Sequence, residues 1–167
     1  MKLDLRWLKN HPNETQEFYL EEEVDDLTLA GERIIFKDKI TVHLVLTNTG
    51  RLIVGSGDIQ TVLGLQCGRC LQAYSLPLAT DFNVQLCEEN LAQGLQEDED
   101  FILFKGNEVD LDPVIVENIL VNLPLRRLCS EDCPGFCPRC GVDLRQEKCR
   151  CENEETDPRW EVLKKLL

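Results

Sequence analysis

The sequence predicts an α+β fold: an antiparallel β-meander or small open barrel with one main helix, followed by a C-terminal zinc-binding cysteine module. Three observations predict it. Apolar residues alternate with polar ones across much of the stretch from Thr41 to Cys67. A single Asp-Pro start opens a helical run, and six of the nine cysteines fall between Cys129 and Cys151.

The strands come first. Val42, Leu44 and Leu46 alternate with Thr41, His43 and Thr47, the period of a half-buried strand. Asn48-Thr49-Gly50 reads as a turn. Arg51 to Gly55, and then Ile59, Thr61, Leu63, Leu65 and Cys67, repeat the alternation, with Ser56-Gly57-Asp58 between them expected as a turn or bulge. Phe82, Val84 and Leu86 give a further strand, and Gln16 to Leu20 with Ile34 to Phe36 supply others. In the helix over 112–123, Asp112 is placed to cap, Pro113 suits the first position, Ile115, Ile119 and Leu123 share the core face, and Pro124 stops the run. The acid-rich stretch 88–100 reads as a solvated loop.

Charge and cysteines divide the chain at the same place. Residues 1–124 hold 9 basic and 22 acidic side chains and residues 125–167 hold 9 of each, so the first part carries the whole net charge of −13. This predicts an acidic β-rich domain over 1–125 and a cysteine-rich tail over 126–167. A balance of −13 excludes a protein that coats nucleic acid through overall charge, so any RNA contact must be local. The first residues lack the apolar core of a secretory signal and no stretch is apolar enough to span a membrane, so a cytoplasmic, non-membrane protein is expected. In a reducing compartment, closely spaced cysteines bind metal or do redox chemistry more often than they form disulfides.

The sharpest local signal is Cys137-Pro138-Arg139-Cys140-Gly141, in which two thiolates can clasp one ion and the glycine permits a tight turn. Cys149 and Cys151 complete four soft ligands, the set a tetrahedral zinc takes; with every position filled by protein, the ion would be structural. A looser set joins Cys67 and Cys70, in the strand region, to Cys129 and Cys133 after the helix, with exchange of Cys129 or Cys133 into the first set left open. One zinc is expected, and the looser set admits a second. Cys87 is left over as a structural thiol. Cys67-Gly-Arg-Cys70 also has the spacing of dithiol oxidoreductases, but it ends a strand instead of opening a helix, which favours metal over redox chemistry.

Arg139, Arg145, Lys148 and Arg150 surround the strong cysteine set. They either neutralise the thiolates or form a small nucleic-acid-binding face for phosphates, with Arg126, Arg127, Lys164 and Lys165 in support. Phe136 and Trp160 are candidates for stacking on bases, although Trp160 is spaced with Leu163 and Leu167 as a core residue would be. No catalytic residue is identified: the two histidines, His11 and His43, lie in no catalytic motif, and no phosphate-binding glycine loop or nucleophile elbow occurs.

Taken in order, Cys67-Gly-Arg-Cys70-Leu71, Leu76-Pro77-Leu78, Asn122-Leu123-Pro124-Leu125, Leu128-Cys129 through Gly141, Cys149-Arg-Cys151 and Asp157-Pro158-Arg159-Trp160 resemble the YceD family, the large ribosomal RNA subunit accumulation proteins. Leu144-Arg145 departs from the Leu-Asn often found there. The resemblance implies a non-catalytic factor supporting 23S rRNA synthesis, processing or stability and large-subunit assembly, with precursor 23S rRNA or a ribosome-assembly protein as partner. Two alternatives come from other classes: a thiol redox or zinc-responsive switch, and an interaction module regulating a metabolic enzyme.

Overall fold

The computed structural model describes residues 1–29, 32–91 and 101–151. Most of the expected acidic loop, and Trp160, Leu163, Lys164, Lys165 and Leu167, lie outside the described residues.

The fold is built on one long hairpin. Strands β6 (Ile53–Gln66) and β7 (Ala73–Glu88) pair antiparallel without a break, from Ile53 opposite Leu86 to Gln66 opposite Ala73. The other edge of β6 is shared by two shorter strands. Its first half pairs with β5 (Ile40–Asn48), which pairs in turn with β2 (Thr15–Glu22); its far end pairs with β4 (Glu32–Phe36), which continues to β3 (Leu27–Leu29). Beyond β7 lies β8 (Ile102–Phe104), parallel to the end of β7. Among the described residues no pairing joins β2 or β3 to β7 or β8, so the sheet is open. A separate small ribbon pairs β1 (Lys2–Asp4) with β9 (Glu108–Asp110). No helix among the described residues is long and apolar enough to cross a membrane.

The alternation read from the sequence is realised on β5, where Ile40, Val42, Leu44, Leu46 and Asn48 are buried in turn. The turn or bulge expected at Ser56-Gly57-Asp58 does not form. β6 runs straight through it because the glycines let β5 come close: a Cβ on Gly57 would fall 2.4 Å from the His43 carbonyl oxygen, and one on Gly55 2.2 Å from that of Val45. The sequence signal of a break is here a signal of close strand approach.

Pro77 lies inside β7, opposite Val62. The Val62 carbonyl accepts from the Lys37 N–H at 2.8 Å, so that residue's backbone polar groups face β4 and the Val62–Pro77 pair is not hydrogen-bonded. The proline nitrogen therefore points to the free edge of β7, where its missing donor costs nothing.

A short helix, α1 (Arg6–Lys9), and the main helix, α2 (Asp112–Val121), close the core. Leu5, Leu8, Leu44, Leu46, Ile59, Leu63, Leu86 and Leu111 are almost wholly shielded from water together with Ile115 and Ile119 of α2, each burial worth about 1.5–3 kcal/mol. Leu123 packs at the margin of this core. The helix is not capped as expected. Asp110 accepts the Asp112 N–H at 3.0 Å, while the Asp112 carboxylate turns to the Met1 ammonium. Asn48, buried beside α1, donates to the Leu8 carbonyl at 2.7 Å and accepts from the Gly50 N–H at 2.7 Å, so its amide stays satisfied.

If strand approach is what requires Gly57, then Gly57→Ala will lower unfolding stability by about 1–3 kcal/mol in urea denaturation, as overpacking does. A cost within a few tenths of a kcal/mol would show that β5 and β6 separate freely.

Candidate metal centres

Eight of the nine cysteines gather into two clusters. In each, the four sulfurs lie within 4.8 Å of one another: Cys67, Cys70, Cys129 and Cys133 in the inner cluster, and Cys137, Cys140, Cys149 and Cys151 in the outer one. Cys87 stands apart, buried on β7 opposite Leu103 with its thiol toward the Glu88 carbonyl. The two sets left open to ligand exchange are thus separate in space, and the looser one is the more buried.

The inner cluster sits at the tip of the long hairpin. β6 and β7 outrun β5, and the connection between them, residues 67–72, folds into a knuckle whose sulfurs could hold a metal. The Leu71 N–H donates to the Cys67 carbonyl at 2.9 Å, the Cys67 N–H donates to the Gln72 carbonyl at 2.8 Å, and Leu71 is left-handed at φ 57°. The outer knuckle repeats this pattern bond for bond: Gly141 N–H to Cys137 carbonyl at 2.9 Å, Cys137 N–H to Val142 carbonyl at 2.8 Å, and Gly141 at φ 73°. The likeness is hard to read in the sequence because the left-handed position after Cys70 holds a leucine, and glycine is the residue that usually marks it.

The segment after α2 brings the other two inner sulfurs to the tip. Gly68 N–H donates to the Arg127 carbonyl at 2.8 Å, and the Arg69 guanidinium donates to the carbonyls of Cys133 at 2.8 Å and Glu131 at 3.3 Å. Arg69 is therefore a clamp between hairpin and tail. Cys67 lies 3.8 Å from Cys133 and Cys70 lies 3.7 Å from Cys129, sulfur to sulfur. Four thiolates around a tetrahedral ion with bonds of about 2.3 Å would stand about 3.8 Å apart. The outer sulfurs are similarly spaced, at 3.3 Å for Cys137–Cys149, 3.8 Å for Cys140–Cys149 and 4.0 Å for Cys137–Cys151. In distance and donor type both sets fit a thiophilic ion.

The electrostatics of each cluster asks for a cation. In the inner one, burial disfavours the Cys67 thiolate, yet the backbone N–H groups of Cys129, Arg69 and Cys70 outweigh it and bring the thiol down to about 6. In the outer one the backbone N–H groups of Cys140 and Arg139, with the Cys149 thiol, bring Cys137 to about 6. The companions go the other way. Sharing with Cys133, then burial, pushes Cys129 to about 12, and sharing with Cys149 and Cys140 pushes Cys151 to about 12. Each knuckle thus holds one ready thiolate, and further ionisation needs positive charge in the middle.

The cations expected around the outer set have different situations. Arg145 is engaged: its Nε donates to Asp143 Oδ1 at 2.9 Å, a terminal nitrogen reaches Asp143 Oδ2 at 2.5 Å, and another bonds the Gln72 side chain beside Cys70. It ties the outer knuckle to the hairpin tip. Arg139, Lys148 and Arg150 are exposed. Phe136 is half-exposed and bridges to Asp143. The histidines serve local contacts, His11 stacked on Trp7 at 4.4 Å and His43 on Tyr19 at 4.6 Å with Asp58 at 3.2 Å.

Gly135, between the two clusters, is left-handed at φ 68°, and a Cβ there would lie 2.8 Å from the Arg69 carbonyl oxygen, whereas at Gly141 a Cβ meets nothing within 4 Å. Gly141→Ala should therefore cost only the left-handed strain, about 1–2 kcal/mol. Gly135→Ala should cost more, because it also pries the tail from the hairpin. Thermal unfolding of the two variants side by side checks the order, and equal costs would remove the clamp from the account.

Residues 55–167, which include both clusters, match the family described as "Large ribosomal RNA subunit accumulation protein YceD". A protein of Mycobacterium tuberculosis described as uncharacterized is 27% identical over 177 residues, taking in all of this chain and 81% of its own length. "Large ribosomal RNA subunit accumulation protein YCED homolog 1, chloroplastic" of Arabidopsis thaliana is 25% identical over 128 residues, 60% of this chain and 40% of that protein. The uncharacterized protein YlbN of Bacillus subtilis is 32% identical over 72 residues, 42% of each chain. No solved structure matches. With the match covering the hairpin, the helix and both cysteine clusters, the chain belongs to the YceD family, whose name describes the accumulation of an RNA and not a reaction.

Proposed function

We propose that this protein is a non-catalytic factor that supports synthesis, processing or stability of 23S rRNA, and through it assembly of the large ribosomal subunit, in a reducing cytoplasm. The family match over residues 55–167 carries this reading. In it, each cysteine cluster holds one structural zinc: all four positions are filled by protein sulfur, the spacing suits tetrahedral thiolate coordination, and no position is left for a substrate. The inner ion locks the tail against the hairpin. The outer ion shapes a knuckle whose exposed Lys148 and Arg150, with Arg139, face precursor 23S rRNA or an assembly protein; Arg145 serves the knuckle itself through Asp143. The redox alternative is less well supported, because Cys67 and Cys70 close a hairpin and share their sulfurs with Cys129 and Cys133 instead of opening a helix.

Depletion of the protein in its own host should lower the ratio of mature 23S to 16S rRNA and the yield of large subunits on sucrose gradients, with recovery on re-expression. An unchanged ratio overturns the ribosomal reading. The metal reading has its own measurement. Protein purified without chelator should carry about two zinc ions per chain by elemental analysis, and Cys70→Ser and Cys149→Ser should each remove about one. Absence of metal in the folded wild-type chain, or loss of none in both variants, would reject it.

A further inference from the structure

The C-terminal end of α2, the segment that leaves it and the hairpin tip enclose an open groove of about 690 Å³. Its walls combine aliphatic side chains, among them Leu120, Leu123 and Leu125, with the three arginines Arg69, Arg126 and Arg127. Among the described residues no carboxylate and no aromatic ring lines it. Leu125, in the segment that leaves α2, is fully exposed. Single exposed leucines are ordinary, but apolar side chains beside clustered cations in a concavity of binding-cleft size mark an interaction surface.

We propose that this groove docks an amphipathic segment of another protein, one that presents aliphatic side chains on one face and carboxylates beside them. Charge complementarity selects the carboxylates. The Arg69 guanidinium is held by the backbone carbonyls of Cys133 and Glu131, which fix its position and leave its charge uncompensated by a carboxylate, and Arg126 has no ion pair among the described residues. Leu120, Leu123 and Leu125 supply what a purely electrostatic contact lacks, since exposed ion pairs alone are worth about 0–1 kcal/mol and apolar anchors give a helix-in-groove contact its affinity. An RNA strand fits less well: stacking platforms for bases are aromatic, and none lines the groove among the described residues. The groove is built by the inner cluster, because Gly68 N–H holds the Arg127 carbonyl and Arg69 holds that of Cys133. This goes beyond the ribosomal reading and does not depend on it.

Fluorescence anisotropy with the full chain as purified tests the assignment. The probes are a labelled helical peptide with leucine on one face and glutamate on the other, the same peptide with lysine for glutamate, and a single-stranded oligouridine. Saturable binding of the glutamate peptide is expected, weakened by about tenfold or more in Arg126→Glu and in Leu125→Ser, as for residues at the centre of an interface, with no binding of the lysine peptide. Both side chains are exposed, so unchanged circular dichroism and metal content should accompany the loss; Arg126→Gln, expected to weaken binding in the same direction, stands in if the charge reversal fails to fold. Equal affinity in the variants, no saturable binding of the glutamate peptide, or oligouridine binding that Arg126→Glu abolishes would overturn the proposal. So would a dimer of the chain that dissociates on Leu125→Ser, which would make a second copy the occupant.

Discussion

The described segment C-terminal to α2 is held by the meeting of four sulfurs at the end of a hairpin. Cys67 and Cys70 are carried there by fourteen consecutive strand pairs, Cys129 and Cys133 by the segment leaving the helix. The hydrogen bonds that accompany them are the Gly68 N–H to the Arg127 carbonyl and the Arg69 guanidinium to the carbonyls of Cys133 and Glu131. The apolar support is equally thin, a satellite cluster in which Tyr74 and Leu128 pack on the cysteines themselves. A module with so little core of its own is one that an ion held between those sulfurs would stabilise. The hairpin is long for that reason: β5 and β4 cover its body, and the part that outruns them exists to present the knuckle.

The two clusters differ in how their ligands are supplied. The inner one joins residues more than sixty positions apart, and Cys67, Cys70 and Cys133 are buried. The outer one draws all four ligands from Cys137 to Cys151, with Cys140 and Cys149 exposed. Closing a long loop costs more chain entropy than closing a short one, though only logarithmically, so the inner site gains most from the preformed sheet and the outer knuckle can form locally. Arg145 links them mechanically. Its fork on Asp143 holds the outer knuckle while its third bond reaches Gln72, the residue that closes the inner one.

What the sequence revealed follows from how local each signal is. The alternation on β5, the helix over Asp112–Val121 and the outer cysteine set depend on residues close together in the chain, and each is legible there. The misread positions are those where a distant strand decides. Ser56-Gly57-Asp58 looks like a turn or bulge, but β5 presses so close to Gly57 that only glycine fits. The inner set reads as the looser one because Cys129 and Cys133 stand at a less typical spacing; the left-handed Leu71, held by neighbouring hydrogen bonds, gives no glycine signal of the turn. The cap of α2 shows the same limit. Asp112 has the right chemistry, and a salt bridge to Met1 takes its carboxylate.

The acidic character of the chain and a cationic groove are compatible because of distance. On the outer face of the sheet Asp58 and Asp81 stand opposite each other across β6 and β7, with Glu17 nearby on β2. Like charges paired across strands repel, so this row is maintained against a local cost. From Asp58 to Cys67 the strand rises nine residues, about 30 Å at 3.4 Å per residue. Screening in physiological salt is nearly complete over about 8 Å. A ligand at the hairpin tip therefore responds to Arg69 and Arg126 more than to the acidic row, and the net charge of −13 does not describe this groove. The long hairpin thus does two things with one geometry: it places the sulfurs where the tail can reach them, and it sets the cationic end several screening lengths from the acidic one.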